Sequence, residues 1–193
     1  MTRHFPGARV QQIKGAVLKS RLGFVEEVAG KDGVARVLAA LPAADQRTLR
    51  MIFTSNWYPF PLGRALDEAI VRVLGQGRTD FFERLGEASA EKNLSSVHAG
   101  FLTRGDGHAF LGKSPSIYSL YYETGRREYR QTGPREGVLT TYDAETFSAP
   151  DCLTVVGWYR KALEMCGLEG VQVREEECRA QGGAVCRYRV SWT

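Results

Sequence analysis

The spacing of apolar positions divides the chain into two parts of different character. From Leu22 to Leu41 the residues Phe24, Val25, Val28, Val34, Val37, Leu38 and Leu41 recur at helical intervals, interrupted by Gly30 and Gly33. This pattern predicts two short helices with a turn between them. Upstream, Val10, Ile13, Val17, Leu18 and Leu22 suit a short strand or an initial helix equally. Pro42 ends the second helix, and the next is expected to start near Asp45, an acceptable N-cap. In Trp57-Tyr58-Pro59-Phe60-Pro61 two prolines stand two apart, which predicts a loop or a break between helices. A long amphipathic helix follows through Leu66, Ile70, Val71, Val73 and Leu74, with Gly75 near its end. Residues 79–93 read as another, through Phe81, Phe82, Leu85, Ala88 and Ala90.

The second part shifts toward strands. Ser114 to Tyr122 is expected to be helical and to stop at Gly125. Arg126–Thr132 and Gly137–Asp143 read as two strands joined at Gly133-Pro134. A helix from Leu153 to Cys166 has Gly167 as its stop. The strands Val171–Cys178 and Ala184–Trp192 close the chain, with clean alternation of Cys186, Tyr188, Val190 and Trp192 against polar neighbours. The expected architecture is α/β of the α+β kind, a single domain over 1–193. A mainly helical part covers 1–108, and a β-β-α-β-β part covers 109–193, its four-stranded antiparallel sheet packed by helices.

Composition narrows the function. The chain has 193 residues, 43% hydrophobic and 25% charged, so it can bury a core without a disulfide or metal to hold it. The formal charge is only +4, and basic residues are interspersed with acidic ones, as in Glu123 to Arg130. No basic stripe points to nucleic acid. A signal-peptide stretch and an 18-residue apolar run are both missing, so the expectation is a cytoplasmic protein without a membrane span. The histidines are His4, His98 and His108, without the spacing of a metalloprotease, and no phosphate-binding loop motif occurs. Nothing assembles a catalytic constellation, and the expectation is a protein that is not an enzyme.

The cysteines carry the most information. Cys178 and Cys186 lie on opposite arms of the terminal hairpin, and Cys152 opens the preceding helix, where backbone N–H groups favour a thiolate. Three soft ligands beside a carboxylate suit tetrahedral zinc, and small buried thiols are the other reading. Val171 to Trp192 resembles the end of 4-vinyl-reductase domains, within the superfamily of NO-signalling and Golgi-transport ligand-binding proteins. The matching run covers roughly residues 110–192. Over its full length the chain also looks like an uncharacterised family of myxobacterial proteins.

The resemblance implies a zinc site of Cys152, Glu175, Cys178 and Cys186, all present. Four protein ligands would make that zinc structural. In a regular strand Glu175 points away from Cys178, so the set requires a bulge, or Glu176 in its place. The same resemblance includes the sensor portions of phenol-responsive activators and implies a small-molecule sensing or regulatory module. Its ligand would be small and hydrophobic or aromatic, with Trp158, Tyr122, Tyr118, Phe101 and His98 as candidate binding residues. It also includes haem-based NO sensors, which grip haem through a Tyr-x-Ser-x-Arg pattern. Tyr118-Ser119-Leu120-Tyr121-Tyr122 lacks that spacing and its arginine, so no haem is expected. The alternative is a protein-interaction module like the vesicle-tethering subunits of the superfamily, acting through partners such as small GTPases. A homodimer or a protein partner is expected in either case, with Trp57 to Pro61 as the suspected surface.

Overall fold

The computed structural model describes residues 11–96, 98–145 and 148–193. A short strand β1 (Gln12–Lys14) leads into helix α1 (Gly15–Ala39), followed by α2 (Ala43–Arg50), β2 (Trp57–Pro59), α3 (Phe60–Val73) and α4 (Phe81–Leu94). Two short helices, α5 (Gly107–Leu111) and α6 (Ser114–Ser119), precede the hairpin β3 (Arg126–Gly133) and β4 (Glu136–Tyr142). Helix α7 (Ala149–Met165) and the hairpin β5 (Gln172–Glu177) and β6 (Cys186–Ser191) complete the chain. The order β3-β4-β6-β5, antiparallel throughout, is the four-stranded sheet the alternation predicts.

The break expected at Gly30 is present: α1 is two helical segments that meet at a kink, where Gly30 has φ 66°, a left-handed value glycine adopts without strain. The segment Trp57 to Pro61 is the expected break between helices, formed by a strand and a helix start and not by a loop. Trp57–Pro59 pairs antiparallel with Gln12–Lys14, and α3 starts at Phe60 with Pro61 in its first turn. Proline is tolerated there because that N–H has no helical partner to lose. Trp57 is accordingly half-buried, with Lys14 Nζ 4.5 Å over its ring. The exposed apolar residues nearby are Met51 and Phe53.

Two apolar clusters form the interior. One gathers α1, α2, α3 and the start of α4 around Leu18, Leu66, Ile70 and Phe82. The other joins the end of α4 to α5, α7 and the sheet around Phe110, Leu139, Tyr159 and Tyr188. Val17 and Tyr122 pack against both, at the seam where a cavity opens.

Candidate functional site

The N-terminus of α7 is the hinge point of the site. The Ser148 hydroxyl accepts the Asp151 N–H at 3.2 Å, and Pro150 occupies the first turn. This cap sets two neighbouring side chains toward different parts of the molecule: Asp151 pairs with Arg21 of α1, and Cys152 meets Cys186 of β6.

The sulfur atoms of Cys152, Cys178 and Cys186 all lie within 4.8 Å of one another, with 3.7 Å between Cys152 and Cys186. All three are buried and none is in a disulfide. The β5–β6 register shifts between Glu175 and Glu177, the bulge that a common site for Glu175 and Cys178 requires. Glu175 interacts with the thiols of Cys178 and Cys152, while Glu176 turns to Arg189 instead. Glu175 Oε1 is buried without a hydrogen-bond partner among the described residues, though the carboxylate does not join the three sulfurs in the set within 4.8 Å. Burial pushes Glu175 and Cys178 up. The hydrogen bond between them draws Cys186 down and drives Cys152 up, so the two thiols titrate as a coupled pair. The fourth cysteine, Cys166, is core filling outside the cluster.

Beside this cluster a cavity of about 540 Å³, counting its open mouth, runs along the seam. Its walls come from Val17 and Arg21 of α1, from Leu85, Gly86, Ser89 and Asn93 of α4, and from Thr154, Val155, Trp158 and Tyr159 of α7. Ile117, Tyr118, Tyr121 and Tyr122, with Arg127 of β3, close it. A smaller recess shares Tyr118, Tyr122, Arg127 and Val155 and reaches Cys152 and Cys186, so the cavity and the thiol cluster adjoin.

Of the sequence candidates, Trp158, Tyr122 and Tyr118 line the cavity. Phe101 and His98 stand outside its wall: the His98 ring lies 5.8 Å from that of Phe101 and 5.9 Å from that of Tyr121. His108 is engaged elsewhere, by the Tyr129 hydroxyl and the Pro134 carbonyl. Several polar wall residues lay outside the candidate set, among them Arg21, Arg127 and Tyr121. The Tyr121 hydroxyl is buried with no hydrogen-bond partner among the described residues, and burial raises it to about 12, so it stays protonated. Arg127 was legible only as one member of an alternating strand, where it is buried between the exposed Arg126 and Glu128.

Arg21 holds two acids at once. Its guanidinium bonds Asp67 of α3 and, at 2.8 Å, Asp151 of α7, and the Tyr122 hydroxyl also donates to Asp151 at 3.0 Å. All three charged groups are buried. One cation cannot neutralise two buried carboxylates, and burial outweighs Arg21 to raise Asp67 to about 6. A raised folded-state pKa means the native protein keeps this proton to higher pH than the unfolded chain. The contribution is complete below the unfolded value of about 4 and is lost as pH climbs through 6. Urea midpoints of the wild type relative to Asp67→Asn should therefore fall between pH 4 and 6.5; parallel curves would contradict this.

The fold is shared with solved H-NOX structures. An Fe(II) unliganded H-NOX mutant from K. algicida superposes with a TM-score of 0.70 at 12% identity, covering 93% of this chain and 96% of that one. An H-NOX protein from S. oneidensis in the Fe(II)NO state gives 0.70 at 14%, covering 93% and 99%. A structure concerned with haem redox potential and porphyrin distortion gives 0.68 at 12%, covering 92% and 99%. These likenesses bear out the resemblance at the level of fold, and not the 4-vinyl-reductase domain in particular.

They also overturn the expectation of no haem, since the structures sharing this fold include haem-containing ones. The expectation rested on linear spacing. The fold instead brings an arginine to the tyrosines from the next strand, with Arg127 4.9 Å over the Tyr118 ring. Haem iron is held by His, Cys, Met or Tyr. The cavity wall offers tyrosines and no histidine, so Tyr121 is the wall side chain that would hold iron, with His98 behind its ring and outside the wall. Arg127 is the cation that would face a propionate.

No helix among the described residues is long and apolar enough to cross a membrane. No curated protein matches the chain. Residues 25–193 match the model of the protein family of unknown function DUF2378, and the chain belongs to that family.

Proposed function

We propose that this chain is a non-enzymatic, small-molecule-sensing module whose ligand enters the seam between the helical part and the sheet. The observation that carries this reading is the cavity itself, aromatic-walled and with a buried Tyr121 hydroxyl that has no hydrogen-bond partner among the described residues. Small-molecule sites combine an apolar wall with a few convergent polar groups. The H-NOX fold adds the precedent of sensors built on this framework, and makes haem one ligand to test. A structural zinc on Cys152, Cys178, Cys186 and Glu175 would pin α7 to the terminal hairpin, and because the smaller recess links it to the cavity, occupancy of one would be felt at the other. The output passes through a homodimer or a protein partner in the cytoplasm, with exposed Met51 and Phe53 as the first surface to probe.

Two experiments test the two halves of this proposal. Elemental analysis of untagged protein should find about one zinc per chain, a four-ligand site holding one ion, and Cys178→Ser should lose it. Metal-free protein from unchelated preparations would sink the zinc assignment. For the cavity, hemin and small aromatic probes should bind saturably to the wild type and not to Ser89→Phe, which fills the cavity from α4. Equal binding by both proteins would place the ligand elsewhere.

A further inference from the structure

Arg127 is 7% exposed, yet no carboxylate approaches it within ion-pair distance among the described residues. Its Nε donates to the Thr141 hydroxyl at 3.0 Å and its Nη1 to the Tyr159 hydroxyl at 3.4 Å, both neutral acceptors. The rings of Tyr118, Tyr159 and Tyr188 lie 4.9, 5.5 and 5.8 Å from its guanidinium carbon. A guanidinium carries five donors and keeps its charge, and a buried charge without a counter-ion is costly. Arg21, the other guanidinium in the same wall, has two carboxylates. Asp151 reaches the recess beside Arg127 but is held by Arg21 and Tyr122. The Cys186 thiol of the same recess feels the charge of Arg127, but no carboxylate accepts from it.

Resting on the sensing reading above, we infer that the cavity's ligand is a planar aromatic carboxylate, its anionic group paired with Arg127 and an oxygen accepting from Tyr121. Arginine suits this task because its planar fork meets a carboxylate with two parallel bonds. The Tyr121 hydroxyl, buried and without a hydrogen-bond partner among the described residues, is the second anchor in the same wall. Trp158, Val155 and Leu85 supply the apolar surface for the ring. Arg127 thus lacks a carboxylate within ion-pair distance among the described residues, and the ligand supplies one.

The test is calorimetric titration of the protein as purified with benzoate, cinnamate and 2-naphthoate, each against its own primary amide. The acids should bind at least about tenfold tighter than the amides, the scale of one charge-assisted hydrogen bond. Arg127→Lys should keep part of this preference, and Arg127→Met should bring the acids down to the amides without weakening the amides. The acid–amide comparison in the wild type needs no variant to fold. Amides binding as well as acids would overturn the anionic class and leave the sensing cavity standing. Saturable binding of neither would overturn both. A preference for acids that survives in Arg127→Met would take anion recognition away from Arg127. Loss of bound metal in Arg127→Lys would assign its charge to the thiol cluster and overturn the inference.

Discussion

Arg21→Met is expected to destabilise the protein by about 3–5 kcal/mol, the range for removing one partner of a buried ion pair. The residue is 3% exposed, and among the described residues its guanidinium is the one cation paired with Asp67, 2% exposed, and Asp151, 5% exposed. Without it two carboxylates face one another in the interior, and either they take up protons or the helices part to admit water. The loss reaches further than one contact, because Arg21 ties α1 to α3 and to the first turn of α7. Urea unfolding measures it directly. Removing the charges together, as Arg21→Met with Asp67→Asn and Asp151→Asn, should recover a large part of the loss, since the triad's cost lies in its burial. A single-variant loss under about 1 kcal/mol, the scale of a surface pair, would show that water reaches the triad.

Gly157→Ala should be nearly as damaging, for a steric reason. Helices α4 and α7 touch backbone to backbone: a Cβ on Gly157 would stand 1.8 Å from the Glu83 carbonyl oxygen, and one on Gly86 2.1 Å from that of Thr154. Neither obstacle is a side-chain tip that can swing aside, so the helices themselves must separate. Alanine gains up to about 1 kcal/mol over glycine in a helix. Overpacking costs about 1–3 kcal/mol and more where backbone must move, so the clash wins. A net loss of about 2 kcal/mol lowers Tm by about 4–8 °C in a chain of this size. Gly86→Ala should behave alike, and the double variant should cost less than the sum, because one separation relieves both clashes. An unchanged Tm would mean that the two helices are not in backbone contact.

The architecture was legible because its signals are local. Alternation at Cys186, Tyr188 and Val190 marks the buried face of β6, and Gly167 with φ 84° marks the end of α7. The β1–β2 pairing was not, since it joins residues 12–14 to 57–59 through long-range hydrogen bonds that three-residue segments do not announce. For the site, the three cysteines were readable from hairpin and helix positions, and the Glu175 bulge from the parity of the strand. Trp158, Tyr118 and Tyr122 were readable as aromatic supply, whereas Phe101 and His98 pack beside Tyr121 behind the wall. Arg127 and Arg21 were invisible as site residues because each sits in a stretch with ordinary surface charges. Burial, which only the assembled fold confers, sets them apart. The haem expectation rested on linear spacing, whereas the arginine beside Tyr118 comes from β3.

The most direct test of a sensing cavity in this seam is a fluorescence titration read at Trp158, which lies in its wall. Wild type and Ser89→Phe would be titrated in parallel with 2-naphthoate, 2-naphthamide and hemin, with Trp158→Phe identifying the reporter. Saturable quenching in the wild type, lost in Ser89→Phe and silent in Trp158→Phe, is the expected result. No saturable response to any probe, or the same response with the cavity filled, would contradict a ligand site at this seam.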